Sequence, residues 1–242
     1  MVSSKKTLIF LHGFRGAPFG LKKIADSFAD DFDVRIPSVP PFADSLPLVE
    51  YTPESYANFI ADYIKSNDLV RPILIGHSMG SIIAAAVAEK YPDLIADKLI
   101  FLSPIPQKTN KLITNVQPLI TVLPNKTIGK ISTVFLYVPQ HSKQLYRETL
   151  DAVISCGEKY TTKSDVLAAA NFASTHSIAD FNFKKQTLII AGEKDRLVNK
   201  RATIAVSKNH NFNLHFIKNS GHLINYEHPA EVSKLIREFL AQ

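Results

Sequence analysis

Cysteine is nearly absent from this chain, since Cys156 is the only one among its 242 residues. A single cysteine excludes an internal disulfide, and one thiol cannot supply the ligand set of a structural zinc site. We therefore expect no disulfide framework and no structural metal site. Cys156 is interpreted as an ordinary residue of an inserted segment rather than as a nucleophile.

Long apolar runs are missing as well. No stretch approaches the roughly 20 residues that a membrane-spanning helix needs, and the apolar runs Ser81 to Ala88 and Leu99 to Ile105 are short. The opening residues MVSSKK are followed by an apolar stretch that is too short for a signal-peptide core. These absences predict a cytoplasmic protein without membrane insertion.

The charge of the chain is only mildly basic, with 28 Lys and Arg against 22 Asp and Glu and a formal net charge of +6. Basic clusters interleaved with aromatic residues are lacking, so the composition does not indicate a nucleic-acid partner. One local bias exists in residues 184 to 218, where basic residues outnumber Glu193 and Asp195. That bias favours acidic substrates, although a solvated basic surface explains it equally.

Apolar patterning predicts an alternation of strands and helices. Short buried runs predict strands at Thr7 to Leu11, Asp33 to Ile36, Pro72 to Ile75, Lys98 to Leu102, Thr187 to Ala191 and Asn213 to Ile217. Helical spacing predicts helices that include Leu21 to Phe28, a segment beginning at Pro53, Ser78 to Tyr91, Lys200 to Ser207 and Pro229 to Ala241. Alternation with short loops predicts an α/β fold with a parallel sheet of about six strands and helices on both faces.

The interval from residue 104 to residue 183 breaks this alternation. It contains helical segments but no buried strand comparable to the others, apart from a candidate at Thr133 to Val138. We interpret 104–183 as an inserted lid and 1–103 with 184–242 as the core. The lid contains apolar and aromatic residues that suit a hydrophobic acyl or alcohol group, although ordinary packing explains them as well.

The motif Gly76-His77-Ser78-Met79-Gly80 matches G-x-S-x-G and lies between a predicted strand and a predicted helix. A serine on such a tight turn projects its Oγ from the carboxyl edge of the sheet, and flanking glycines avoid collisions there. The alternative is a small-residue turn that only packs helix against strand. The context favours Ser78 as a nucleophile.

A serine nucleophile needs a base, and eight histidines compete for that role. His222 follows the last predicted strand, so it lies on the same sheet edge as Ser78 and is the predicted base. We interpret His12 and His77 as structural rings bonded by nearby backbone, and His210, His215 and His228 as surface or strand positions. His141 and His176 belong to the predicted lid and could contact substrate, although a solvated or core histidine is the simpler interpretation of both.

An acid must fix the tautomer of the base and stabilise the imidazolium. Asp195 follows the preceding predicted strand in Ala191-Gly192-Glu193-Lys194-Asp195 and is the predicted acid, with Glu193 as its nearest competitor. The order Ser, Asp, His along the chain agrees with the elbow motif. The oxyanion requires two donors, which we assign to the backbone N–H groups of Phe14 and Met79.

Four segments carry a family resemblance: LIFLHGF, LIGHSMGS, LIIAGEKDRLV and NSGHL. They resemble the α/β-hydrolase superfamily, especially its lidded esterase-like members. The resemblance implies an active site at the carboxyl edge, no cofactor, and a lid that supplies most substrate contacts. The usual sheet of that family has eight strands, and the first two are predicted to be missing here. Ser78 stands where epoxide hydrolases and haloalkane dehalogenases carry aspartate, which argues against both.

These observations predict a serine hydrolase that cleaves small carboxylic esters with short or medium acyl chains. Arg15 could meet a substrate carboxylate, although a solvent-facing arginine is the simpler interpretation. Three alternatives stay open: a carbon–carbon bond hydrolase that acts on a keto acid, a thioesterase or lipase, and a non-catalytic receptor for a small molecule.

Overall fold

The protein is described by a computed structural model over residues 5–108 and 161–242, together with Gln144 and Arg147. Its centre is a six-stranded sheet. The strands are β1 (Thr7–Leu11), β2 (Asp33–Arg35), β3 (Ile73–His77), β4 (Lys98–Leu102), β5 (Gln186–Gly192) and β6 (Asn213–Ile217). This confirms the six strands predicted from the sequence, within two residues at every strand end.

All neighbouring strands run parallel, in the order β2-β1-β3-β4-β5-β6. Strands β1 and β3 are fully buried, as their continuous apolar runs predict for strands covered on both faces. The edge strand β6 alternates exposed and half-buried residues instead. Because every strand points the same way, all their carboxyl ends meet at one edge of the sheet.

Helices connect the strands and cover both faces of the sheet. In chain order they are α1 (Phe19–Ala25), α2 (Pro53–Ser66), α3 (Met79–Lys90), α4 (Lys163–Thr175), α5 (Lys200–His210), α6 (Ile224–Glu227) and α7 (Pro229–Ala241). Helix α2 begins as predicted, because the Oγ1 of Thr52 accepts the N–H of Ser55 at 3.1 Å and Pro53 needs no partner for its nitrogen.

Two hydrophobic clusters lie on opposite faces of the sheet. One contains apolar side chains of α1 and α7, such as Ile24 and Ile236. The other contains side chains of α2, α3, α4 and α5, such as Ile60 and Ile83. Helix α3 is buried along ten successive residues from Met79 to Ala88, so the helix that follows Ser78 is held on all sides.

Helix α4 falls inside the interval predicted to be a lid, and it packs on the core. The ring of Phe172 lies 4.6 Å from that of Tyr56 between centroids, and Val166 joins the same cluster. The candidate strand at Thr133 to Val138 and most of the interval lie outside the described residues. The lid and its boundaries therefore stay a prediction. Among the described helices, none is both long and apolar enough to cross a bilayer.

Candidate active site

The G-x-S-x-G segment forms a sharp turn from β3 into α3. Ser78 has φ 53° and ψ −118°, a backbone conformation that residues with a side chain rarely adopt, and it is 7% exposed. Strained residues of this kind persist only where the surrounding structure holds them, and they concentrate at functional sites. The turn therefore places a serine hydroxyl at the carboxyl edge of the sheet, as the motif predicts.

Two glycines make this turn possible because no side chain fits at either position. A Cβ at Gly80 would lie 2.2 Å from the carbonyl oxygen of Leu11, and a Cβ at Gly76 would lie 2.3 Å from the carbonyl oxygen of Gly80. Both clashes involve backbone atoms, which cannot rotate away as a flexible side chain can. The close approach of α3 to β1 therefore depends on the absence of these side chains.

Hydrogen bonds hold the backbone of Ser78 on both sides. Its N–H donates to the carbonyl of Leu102 at 3.0 Å, which ties the turn to the end of β4. Its carbonyl accepts the N–H of Ser81 at 2.9 Å and the Ser81 hydroxyl at 2.5 Å. The position of the nucleophile candidate is thus set by the sheet and by the first turn of α3.

Asp195 and His222 form a buried pair at the same edge. The Nδ1 of His222 lies 2.8 Å from Oδ2 of Asp195, and their side chains are 3% and 4% exposed. The other carboxylate oxygen, Oδ1, accepts the backbone N–H groups of Leu197 at 2.8 Å and Val198 at 3.0 Å. Both oxygens of the carboxylate are therefore occupied, and its orientation is fixed.

The charge state of Asp195 sets the tautomer of the ring. Burial raises the pKa of this carboxyl, but the His222 ring and the N–H groups of Val198 and Leu197 outweigh it, so the pKa lies below its usual value. An ionised carboxylate can only accept hydrogen bonds, so the proton lies on Nδ1 of His222. Nε2 then carries the lone pair, which is the arrangement that a general base requires.

The loop that carries Asp195 and the loop that carries His222 are in contact through their backbones. The N–H of Glu193 donates to the carbonyl of Ile217 at 2.9 Å, which continues the pairing of β5 and β6 beyond the strand ends. A Cβ at Gly192 would lie 1.9 Å from the carbonyl oxygen of Gly221. Only glycine at position 192 therefore permits this contact between the loop of Asp195 and the loop of His222.

His77 lies beside His222. The two ring centroids are 5.3 Å apart, and Nε2 of His77 lies 3.2 Å from the carbonyl oxygen of His222. Burial, with a smaller electrostatic contribution from the neighbouring His222 ring, lowers the pKa of His77 to about 3. The ring is therefore neutral at pH 7 and donates from Nε2, as the predicted structural role requires.

His12 organises the loop after β1. Its Nε2 accepts the N–H of Val39 at 2.9 Å, so its proton lies on Nδ1, which donates to the carbonyl of Gly13 at 3.0 Å. Burial lowers its pKa to about 4, although the Gly13 hydrogen bond opposes this shift. A second bond to the Gly13 carbonyl comes from the N–H of Gly16 at 3.0 Å and closes the loop into a turn.

The same loop carries one of the two predicted oxyanion donors. A Cβ at Gly13 would lie 2.9 Å from the Cβ of Ser78, so the loop lies directly against the nucleophile candidate. Phe14 packs edge-on against Phe42 with the ring centroids 5.2 Å apart. In the part of the chain that the structure describes, the N–H groups of Phe14 and Met79 have no acceptor.

Two buried neutral histidines make acid sensitivity a testable property of the fold. An unfolded histidine has a pKa near 6.5, whereas His12 and His77 have values of about 4 and about 3. Between these values the unfolded chain binds more protons, so stability rises with pH and is lost as the pH falls below about 6.5. Asp195 does not titrate in the upper part of this range, between pH 7 and pH 5, since its pKa lies below its usual value of 3.8.

We expect the free energy of unfolding to fall by about 2 kcal/mol for each ring between pH 7 and pH 5. Urea denaturation at several pH values measures this slope. The variant His12→Gln keeps an acceptor near the N–H of Val39 but cannot titrate, so it should show about half the wild-type slope. An unchanged slope in that variant would contradict a neutral buried His12.

The structure describes two of the three predicted substrate contacts, Arg15 and His176. Arg15 is half-buried with φ 52° in the turn after Gly13. His176 caps the end of α4, where its Nδ1 lies 3.1 Å from the Phe172 carbonyl and its ring stacks on that of Phe172. Their contacts with substrate stay a prediction, and His141 lies outside the described residues. Glu193, the competitor of Asp195, is exposed and faces Lys200 at 3.4 Å.

One buried acid near the site received no role from the sequence. Glu227 ends α6 and is 8% exposed, and its Oε2 accepts the N–H of Gly221 at 2.7 Å. The sequence shows a glutamate five residues after His222. Helical spacing alone does not predict that its side chain points back to the loop of Gly221 and His222. Among the described residues, no group of three or more His, Cys, Asp or Glu side chains is placed to hold a metal ion.

Several proteins of known sequence or structure are similar to this chain. The chain is 24% identical to the hydrolase YugF of Bacillus subtilis, over 98% of this chain and 90% of that protein. It is 25% identical to 2-hydroxy-6-oxononadienedioate/2-hydroxy-6-oxononatrienedioate hydrolase 2 of Pseudomonas putida, over 97% of this chain and 87% of that protein.

The fold has a close structural counterpart in a thermophilic esterase from Thermogutta terrifontis. The TM-score is 0.84 at 20% identity, over 98% of this chain and 90% of the esterase. At this identity the similarity shows a common fold and carries no conclusion about activity. The model of the alpha/beta hydrolase family matches residues 8–235, nearly the whole chain, including Ser78, Asp195 and His222. This chain is therefore a member of the alpha/beta hydrolase family.

Proposed function

We propose that this protein is a serine hydrolase that cleaves small carboxylic esters through Ser78, His222 and Asp195. The observation that carries the proposal is the combination of a strained serine turn with a buried Asp–His pair at one sheet edge. The strain at Ser78 has no structural purpose that an ordinary turn would not serve better. A carboxylate that holds the base by Nδ1 supports the same assignment.

The proposed reaction begins with a proton transfer. Nε2 of His222 removes the proton of Ser78 as Oγ attacks the ester carbonyl, and Asp195 stabilises the imidazolium that forms. The N–H groups of Phe14 and Met79 donate to the oxyanion of the tetrahedral intermediate. Met79 is the first residue of α3, so the positive end of that helix adds to the stabilisation.

The second half of the reaction returns the enzyme to its starting state. The imidazolium of His222 protonates the leaving alcohol, and the acyl group stays on Ser78 as an ester. A water molecule, deprotonated by the same ring, then attacks the acyl-enzyme and releases the acid. The chemistry needs no metal or cofactor, and we propose that the segment 104–183 acts as a lid that contacts the acyl group.

Hydrolysis of a carbon–carbon bond in a keto acid is the second candidate, favoured by the Pseudomonas putida relative, whose name gives an oxo dicarboxylic acid as its substrate. The same three residues can serve either reaction, because both pass through an oxyanion at a carbonyl carbon. Arg15 and the basic residues between 184 and 218 are the features of this chain that suit an acidic substrate.

Ester cleavage is tested with p-nitrophenyl esters from acetate to dodecanoate. Carbon–carbon cleavage is tested in parallel with a vinylogous keto acid, 2-hydroxy-6-oxo-6-phenylhexa-2,4-dienoate. We expect turnover of the esters, with kcat/KM highest at short or medium chains and lower at dodecanoate. Keto acid turnover without ester turnover would overturn the ester proposal and favour the second candidate. Maximal turnover of acyl thioesters would instead assign a thioesterase, and tight binding without turnover of any substrate would indicate a receptor.

A further inference from the structure

The segment Ser220-Gly221-His222 is held by hydrogen bonds to three other parts of the fold. The N–H of Lys194, next to Asp195, donates to the carbonyl of Ser220 at 2.8 Å. Nε2 of His77 lies 3.2 Å from the carbonyl oxygen of His222. The third partner is Glu227, whose carboxylate accepts hydrogen bonds from Ser220 and Gly221.

Glu227 makes two hydrogen bonds to this segment through the same oxygen. Oε2 accepts the N–H of Gly221 at 2.7 Å and the hydroxyl of Ser220 at 3.1 Å. Ser220 is completely buried and Glu227 is 8% exposed, so water does not readily replace either bond. Hydrogen bonds to a carboxylate are roughly twice as strong as those between neutral groups.

These bonds act on the residue immediately before His222. Asp195 orients the imidazole of His222 through Nδ1. The backbone position of His222 depends on Gly221, the preceding residue, whose N–H donates to Glu227. Gly221 has no side chain of its own to pack, and its carbonyl lies against Gly192. Without the carboxylate, a buried N–H and a buried hydroxyl would lose their acceptor, and the segment would have to move to satisfy them.

We propose that Glu227 is a positioning residue that sets the place of His222 by holding Gly221 and Ser220. The inference rests on the proposed role of His222 as the base. It does not involve contact between Glu227 and substrate. A displacement of 1 Å at a catalytic group can lower turnover about 100-fold. Because Glu227 is not proposed to contact substrate, KM should change little.

The variant Glu227→Ala removes both bonds, and Asn225→Ala is its matched control. Asn225 is 3% exposed and lies on the same short helix, but its Nδ2 donates to the carbonyl of Gly20 at 2.7 Å rather than to the loop of His222. Both variants delete a buried hydrogen bond of α6, so both lower stability. Only Glu227→Ala releases the segment that carries the base.

We expect Glu227→Ala to lower kcat between about 10-fold and 100-fold with KM within about threefold of wild type. Asn225→Ala should keep kcat within about 1.5-fold of wild type, measured at a temperature where both variants are folded. Glu227→Gln retains a neutral acceptor and should recover part of the lost kcat. Equal losses in Glu227→Ala and Asn225→Ala would show a merely structural role and overturn the proposal.

Two further measurements distinguish a positioning role of Glu227 from a loss of protein stability and from a failure of the ester proposal. Ser220→Ala removes only the weaker bond and should lower kcat about threefold, which covers the case in which Glu227→Ala does not fold. Proton NMR of protein labelled with ¹⁵N-histidine follows the Nδ1 proton of His222 without any substrate, the signal being identified by its loss in His222→Gln.

In the NMR experiment, the Nδ1 proton should exchange faster in Glu227→Ala than in wild type, and at the wild-type rate in Asn225→Ala. If wild type hydrolyses no ester but this pattern is seen, the ester proposal fails and the role of Glu227 stands. If wild type hydrolyses esters while Glu227→Ala keeps full kcat and the wild-type exchange rate, Glu227 is not a positioning residue.

Discussion

Replacement of Ser78 by alanine is expected to lower ester turnover by about 10⁶-fold, the loss typical of a missing serine nucleophile. The hydroxyl of Ser81, the next serine in the chain, is buried and donates to the carbonyl of Ser78, so it does not replace Oγ. The residual rate should come only from binding and from the oxyanion donors. Stability should change little, since Ser78 contributes no side-chain hydrogen bond to its own helix.

Labelling with a fluorophosphonate and the pre-steady-state burst with p-nitrophenyl acetate measure this effect directly. Both should disappear in Ser78→Ala. The matched control is Ser103→Ala, which removes another buried serine hydroxyl at the carboxyl edge, one that has no hydrogen-bond partner in the part of the chain described. That variant should stay within about twofold of wild type. A retained burst in Ser78→Ala would eliminate Ser78 as the nucleophile.

Asp195→Asn is expected to lower kcat by about 10⁴-fold at pH 7, by analogy with the corresponding change in a serine protease. The asparagine fits the same space, and its amide oxygen can still accept the N–H groups of Leu197 and Val198. Its NH₂ group then faces Nδ1 of His222 and donates to it. The ring proton moves to Nε2, and the lone pair that should accept the Ser78 proton is lost.

Glu193→Gln is the matched control for this prediction. Glu193 lies two residues before Asp195, carries the same charge, and faces Lys200 on the surface. Its replacement should change kcat by less than about twofold, because exposed ion pairs contribute little. If Glu193→Gln reduced turnover by orders of magnitude while Asp195→Asn did not, the acid role would belong to Glu193.

The sheet could be predicted closely because its strands are short, apolar and separated by clear turns. Strands β1, β4 and β6 have the predicted bounds, and helix α7 runs from Pro229 to Ala241 as expected. Helix α5 extends three residues beyond the predicted end at Ser207. It ends at His210 because Asn211 adopts a left-handed conformation with φ 55°, which apolar spacing does not reveal.

The sequence predicts those residues of the candidate site whose position follows from the order of the strands. It does not predict contacts made by side chains that fold back onto a distant loop. Ser78, Asp195 and His222 each follow a strand, so a parallel sheet brings their loops to one edge. The bond from Val39 to His12 spans 27 residues, and its existence depends on the path of the loop after β2. The same holds for the carboxylate of Glu227, whose direction is determined by the short helix α6 and not by its place in the sequence.

The pairing of β5 with β6 has a consequence for how the protein loses activity on heating. Among the described strands, β6 lies at the edge of the sheet and pairs with β5 alone. The backbone bonds beyond it join the loops of Asp195 and His222. Local opening of an edge strand needs less free energy than global unfolding. Detachment of β6 would carry His222 away from Asp195 while Ser78 stayed in place, so we expect heating to disrupt the proposed active site at this edge before the remaining sheet melts.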